Sequence, residues 1–196
     1  MHLPFSKRAK PWELHALALR KHLRLSITQL LDPYMLVDFV GLRLVPLDSI
    51  CKHLAKDVVR QLRERGAKSW SGGIHARTLP DGTRICILNS GHNAFRLKTT
   101  LMEEIAHMHL GHSPSGLTRS GDGHRIRSYD KQQEQDAYGV GAAALLPWGA
   151  FFPAINGGTT IEELAERYEL SPEVVRYRIQ ITGAYAVYRK RQMRKR

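Results

Sequence analysis

Apolar and polar positions repeat along this chain with two periods, and their alternation predicts most of the elements. In "WELHALALRKHL" apolar residues recur every three or four positions, the spacing of an amphipathic helix, with Pro11 in its first turn. Asp32-Pro33 opens a second, short helix that Gly41 stops. "LRLVPL", Leu42 to Leu47, reads as a strand. Asp48 caps a third helix over "SICKHLAKDVVRQLRERG", ended by Gly66. "WSGGIHARTLPDGTRICILN" has the pattern of a β-hairpin turning at Pro80-Asp81-Gly82, with "RICILN" as its inner strand. A helix follows from Asn93 to Leu110, then a loop rich in Gly and Ser from Gly111 to Ser128. A further helix, Tyr129 to Leu146, ends at Pro147, and two short helices, Thr160 to Tyr168 and Ser171 to Thr182, close the pattern.

The helix from Asn93 carries the candidate chemistry. At about 100° per residue, Leu97, Leu101, Ile105 and Met108 form one apolar stripe, and Met102, Ala106 and Leu110 form another. One strongly polar arc is left, shared by Glu103, Glu104 and His107. Glu103 and His107 are four residues apart and can aim at one point. A zinc peptidase helix reads H-E-x-x-H, and the same frame here reads E-E-I-A-H. Two adjacent buried carboxylates need a metal, a proton or a cation; the plain alternative is an arc of solvated charge facing water. His109 points roughly 160° away from His107, and His112, past the helix end, has room to bend back. A third ligand must come from elsewhere. The helix over "EQDAYGVGAAALLP" is small and apolar after its first turn, which permits close packing, so Glu134 or Asp136 can approach the first helix. An acidic first turn also suits the helix dipole without any ligand role. Glu104 to His107 is also an E-x-x-H, but a di-iron site needs two such motifs and the chain has one.

Composition narrows the class. The 196 residues are long enough to bury a core, and 42% of them are hydrophobic, an ordinary globular share. No apolar run approaches the roughly 20 residues of a membrane span. The basic N-terminus lacks the apolar stretch of a secretory signal. Cys51 and Cys86 are not in a C-x-x-C pair and read as small core residues rather than a disulfide or metal clip. The expectation is a cytoplasmic protein without a membrane partner. The net charge of +12 sits at the ends: +5 over residues 1–24 and +6 over the last eight, "RKRQMRKR". The rest is nearly balanced, so the ends suit an acidic partner or nucleic acid, or are simply solvated.

The order of these pieces, a strand ending "ILN", then "FRLKTTLMEEIAHMHLGH", a loop, "EQDAYGVGAAALLP" and "LAERYELSPEVVRYRI", resembles the ImmA/IrrE family of metallopeptidases. Its second segment usually reads E-x-E-A-N-x-F-A-A-x-L-L-M-P, and Glu134, Asp136, Ala137, Val140, Ala142, Leu145 and Pro147 fall in register with it. The resemblance implies an α+β, zincin-like fold, mostly helical with a small antiparallel sheet, and a cytoplasmic zinc-dependent endopeptidase. Its implied substrates are helix-turn-helix repressors that control phage, mobile-element or stress genes. Carried over by position, Glu104 is the catalytic glutamate, His107 the second metal-binding histidine and Glu134 the third ligand, with Asp136 in a supporting position. Glu103 stands where the family has its first histidine. A Glu-His-Glu set is harder and more anionic than His-His-Glu, so it admits manganese or iron beside zinc. The other reading is a catalytically decayed, peptidase-like regulator that binds a repressor protein or DNA.

The expected layout is one metallopeptidase-like domain over 1–188: a helical part (1–68), a hairpin and metal-site core (69–155) and a helix-turn-helix-like pair (156–188), followed by a basic tail (189–196). In the pair, Thr160 caps the first helix and Ser171-Pro172 starts the second. Glu173, Arg176, Tyr177 and Gln180 line its exposed face. With Arg189, Lys190 and Arg191 they are the candidate contacts to DNA or a partner, unless the pair is scaffold alone.

Overall fold

The computed structural model describes residues 3–65, 70–113, 117–119, 125–127 and 130–193. The expected helix stop at Gly66, part of the expected 111–128 loop, the helix start at Tyr129 and the last three tail residues lie outside them. The chain forms two compact units, Pro33–Ala137, and Met1–Asp32 with Tyr138–Arg196.

The unit Pro33–Ala137 opens on a single 3-10 turn, Pro33–Leu36, where a short helix to Gly41 was expected. Strand β1, Leu42–Pro46, follows as expected. The long third helix does not form. It breaks into α2, Leu47–Cys51, and α3, Lys56–Arg60, which widens into a π-turn over Gln61–Arg65. Asp48 lies inside α2 rather than capping it, and pairs with Arg63. No residue of α3 is buried, so no packing holds this stretch in one continuous helix.

Strands β2, Gly72–Thr78, and β3, Arg84–Leu88, form the expected hairpin. Its turn is fixed by Asp81, whose Oδ1 accepts from the Thr83 amide at 3.0 Å and hydroxyl at 2.7 Å. The sheet is mixed, not antiparallel. Its order is β1-β3-β2; β2 runs antiparallel to β3, while β1 runs parallel to it from Leu42 opposite Arg84 to Pro46 opposite Leu88. A parallel neighbour needs a crossover, and the chain between β1 and β3 supplies it.

Helix α4, Ala94–His109, lies close to β2. A Cβ on Gly72 would stand 2.8 Å from Thr100 Cγ2, so that approach requires glycine. The expected loop after α4 contains a two-stranded pair, β4, Leu117–Arg119, and β5, Arg125–Arg127. Helix α5, Lys131–Leu145, follows, and the unit boundary falls within it.

In the other unit, α1, Ala9–His22, joins the later part of α5 with α6, Trp148–Asn156, α7, Ile161–Tyr168, α8, Pro172–Ile181, and α9, Tyr185–Met193. Helix α6 was not expected. Pro147 ends α5 and leaves its last carbonyls without helical partners. Two buried arginines take them up: Arg20 Nη1 donates to Ala144 O at 2.8 Å, and Arg178 Nε to Leu146 O at 2.9 Å. Glu13 then joins the pieces. Its Oε1 accepts from Trp148 N, the first amide of α6, and its Oε2 from Arg178 Nη2, each at 2.6 Å. The buried pair Glu13–Arg178 is thus hydrogen-bonded on both sides, the condition under which a buried ion pair is tolerated.

Helix α9 takes in residues 189–193 of the segment expected as a tail. Arg191 donates to Asn156 Oδ1 at 3.0 Å and Gln192 to Gly158 O at 3.3 Å. Among the described residues no single helix is long and apolar enough to cross a membrane.

Candidate metal centre

The phase of α4 is set at its start, where the Asn93 side chain accepts from the Arg96 amide at 2.9 Å. From there the helix buries Leu101, Met102, Ile105 and Ala106 completely. Leu97, Met108 and Leu110, the remaining members of the two stripes, are only half-buried. The polar arc of Glu103, Glu104 and His107 is half-buried too, so it is not the freely solvated face that plain charge would prefer.

The start of α5 is capped in turn. Asp130 Oδ1 accepts from the amides of Gln132 at 2.9 Å and Gln133 at 3.2 Å, and Glu134 falls in the first turn. Its Oε2 lies 3.8 Å from His107 Nε2, with the two side chains 24% and 18% exposed. Glu103, His107 and Glu134 each offer a ligand atom within 4.8 Å of the others. Zinc bonds of about 2.0–2.2 Å in a tetrahedral site separate ligand atoms by roughly 3.3–3.5 Å. The His107–Glu134 spacing is already near that, and small side-chain rotations close the rest. The donor set, two carboxylate oxygens and one imidazole nitrogen, therefore fits a divalent cation.

Electrostatics fit as well. Burial first, then the neighbouring charges of Glu104 and Glu134, push the Glu103 carboxyl up to about 7. The carboxylates of Glu103, Glu104 and Glu134 crowd one spot, the condition that a divalent ion relieves. Cys86 on β3 is buried, and its thiol is pushed up by burial and then by the charge of Glu104. It is thus the inert core thiol expected, as a raised pKa suppresses thiolate. Cys51 is half-buried and also free.

The other sequence candidates distribute as follows. Asp136 is outside the three-ligand cluster; both its oxygens accept from Gln132 at 2.9 Å, and its charge acts on His112. His109 is also outside the cluster. His112 does bend back, but to His107 rather than into the cluster: the two Nδ1 atoms are 3.0 Å apart and the rings meet edge to face. Burial lowers the His112 pKa, against the charges of Asp136, Asp130 and Glu134. Only the pair Gly111-His112 at the end of the helix pattern signals this contact in the sequence.

On α8, Glu173, Arg176 and Gln180 are exposed. Arg176 lies 3.6 Å from Glu162 and 3.3 Å from Glu173, and Tyr177 packs edge-on against Tyr138, ring centres 4.7 Å apart. Arg189 and Lys190 are exposed on α9, beside the exposed Tyr185 and Met193.

A helix bearing a carboxylate-carboxylate-x-x-His arc, packed by a small sheet and faced by a carboxylate from the next long helix, is consistent with a zincin-like domain. The chain belongs to the ImmA/IrrE family of metallopeptidases: the family model described as the IrrE N-terminal-like domain, a peptidase family, matches residues 62–180. No curated protein and no solved structure matches it significantly. Members of this family are typically metal-dependent hydrolases.

Proposed function

We propose that this chain is a metal-dependent endopeptidase with a regulatory role, in which Glu103, His107 and Glu134 hold the metal and Glu104 is the acid-base residue. The observation that carries this reading is the convergence of those three ligand atoms within 4.8 Å, in a chain of this family. When bound, the metal polarises a peptide carbonyl and makes water more acidic. Glu104, beside Glu103 and half-buried, takes a proton from the attacking water and returns it to the leaving amine. The Glu103 carboxylate, in place of a neutral imidazole, lowers the net charge at the metal. Zinc is the family's metal, with manganese or iron suited to the harder donor set. The substrate we infer is a helix-turn-helix repressor-type protein.

The α7–α8 pair serves best as scaffold. Arg178 on α8 is spent on Glu13 and on the end of α5, and Arg176 is flanked by two glutamates. The exposed Arg189 and Lys190 leave α9 as the surface for an acidic partner or DNA.

One observation favours a second reading. Residue 103 is a glutamate where the family has its first histidine, an exchange that a decayed, non-catalytic regulator would also carry. Metal content separates the two. Wild-type protein should retain about one divalent ion per chain, and Glu134→Ala should lose it. With a co-encoded repressor, wild type should make a chelator-sensitive cut, and Glu104→Gln should keep its metal without cutting. Cleavage that persists in Glu104→Gln would overturn the mechanism; a metal-free wild type would favour the decayed regulator.

A further inference from the structure

The end of α4 holds a second histidine against the first. Gly111 adopts φ +67, and two hydrogen bonds close the helix around it: Gly111 N to Met108 O at 3.1 Å and His112 N to His107 O at 3.0 Å. This is a Schellman closure, in which the residue after the left-handed glycine packs over the helix's third-last residue. That packing contact is usually apolar. Here it joins two imidazoles, Nδ1 to Nδ1 at 3.0 Å, with ring centres 5.0 Å apart at 73°.

We propose that His112 is the positioning residue for His107, accepting the proton on His107 Nδ1 and so turning the unprotonated Nε2 toward Glu134 and Glu103. The inference rests on the reading of His107 as a metal ligand. Taking His107 as a ligand through Nε2 assigns both tautomers. His107 Nε2 faces Glu134 at 3.8 Å, so a ligand lone pair there places its proton on Nδ1. One proton serves a contact between two nitrogens, so His112 Nδ1 is the acceptor and the His112 proton sits on Nε2. Metal-binding histidines generally donate their second nitrogen to a carboxylate, a carbonyl or water, and this partner fixes the ring and its basicity. In this chain an imidazole fills that place. Being uncharged as an acceptor, it orients His107 without adding another negative charge to a site that already holds Glu103, Glu104 and Glu134. Gly111 is the hinge of the arrangement, because a side chain there strains the left-handed backbone that delivers His112.

The test uses the full chain and two substitutions. His112→Asn keeps an acceptor oxygen near the place of Nδ1; His112→Leu keeps the bulk and removes the acceptor. Zinc and manganese affinities are read by competition with a chromophoric chelator. The His107 tautomer is read in metal-free protein by imidazole nitrogen NMR. We expect His112→Leu to bind metal about 10–100-fold more weakly, the usual effect of removing such a partner, and His112→Asn to stay within a few-fold of wild type. The Nδ1–H form of His107 should dominate in wild type and His112→Asn, and give way to a mixture in His112→Leu. Unchanged affinity and tautomer in His112→Leu would overturn the proposal, as would equal weakening in both variants, which marks packing alone. A wild-type His107 protonated on Nε2 would overturn it without any variant. If wild type binds neither metal, the metal-site reading fails, while the tautomer measurement still decides the role of His112.

Discussion

Replacing Glu103 with glutamine removes its charge and keeps its volume, which pits the fold against the metal site. In the folded chain the carboxyl is raised from 4.5 to about 7, by burial first and then by Glu104 and Glu134. A carboxyl raised on folding favours the native state while protonated. Its contribution is complete below about pH 4.5 and is lost as pH rises through about 7. A shift of that size corresponds to roughly 3 kcal/mol at most, and residual solvent access at the half-buried side chain reduces it to about 1–3 kcal/mol. Glutamine mimics the protonated acid at every pH. In chelator, Glu103→Gln should therefore match wild type at pH 4 and exceed its stability at pH 8.5 by about 1–3 kcal/mol, some 2–10 °C in a chain of this size. Metal reverses the ranking, because an amide is a poor substitute for an anionic ligand. Saturating zinc or manganese should stabilise wild type at pH 8.5 far more than Glu103→Gln. Melting curves at the two pH values, with chelator and with metal, give all four comparisons. The same stability difference at both pH values in chelator would refute the raised carboxyl, and equal stabilisation by metal would refute Glu103 as a ligand.

Three further substitutions probe the fold. Glu13→Ala strands the fully buried Arg178 and leaves the first amide of α6 without its acceptor, so it should cost about 3–5 kcal/mol in chemical denaturation; a loss under 1 kcal/mol would show that the pair is dispensable. Thr160→Ala removes one half of a complete capping box, in which Glu163 N donates to Thr160 Oγ1 and Thr160 N to Glu163 Oε2, and should cost about 1 kcal/mol with no change in metal affinity. Glu169 closes α7 at φ +53, where glycine is more at ease, so Glu169→Gly should gain up to about 1 kcal/mol in melting experiments, and a loss would mean its side chain contributes more than its strain costs.

The sequence by itself determined what local chemistry can decide. Asn93 as a helix start, the apolar stripes of α4, the Pro80-Asp81-Gly82 turn and the Thr160 cap each act within a few residues, so they are legible in the order of amino acids. The arc of Glu103, Glu104 and His107 belongs with them, because helix period alone puts the three side chains on one side. Tertiary structure decided what depends on distant partners. Nothing in "KHLA" breaks a helix, yet the stretch from Asp48 to Arg65 is interrupted, since no buried face holds it together. The parallel pairing of β1 with β3 needed the crossover, and α6 needed Glu13 and Arg178, which are 165 residues apart in sequence. Whether Glu134 or Asp136 reaches His107 turned on where the cap at Asp130 starts α5. Whether His112 bends back turned on the left-handed backbone of Gly111. Periodicity names which side chains share a face; only packing decides what that face meets, and with it the protonation of Glu103 and the orientation of His107.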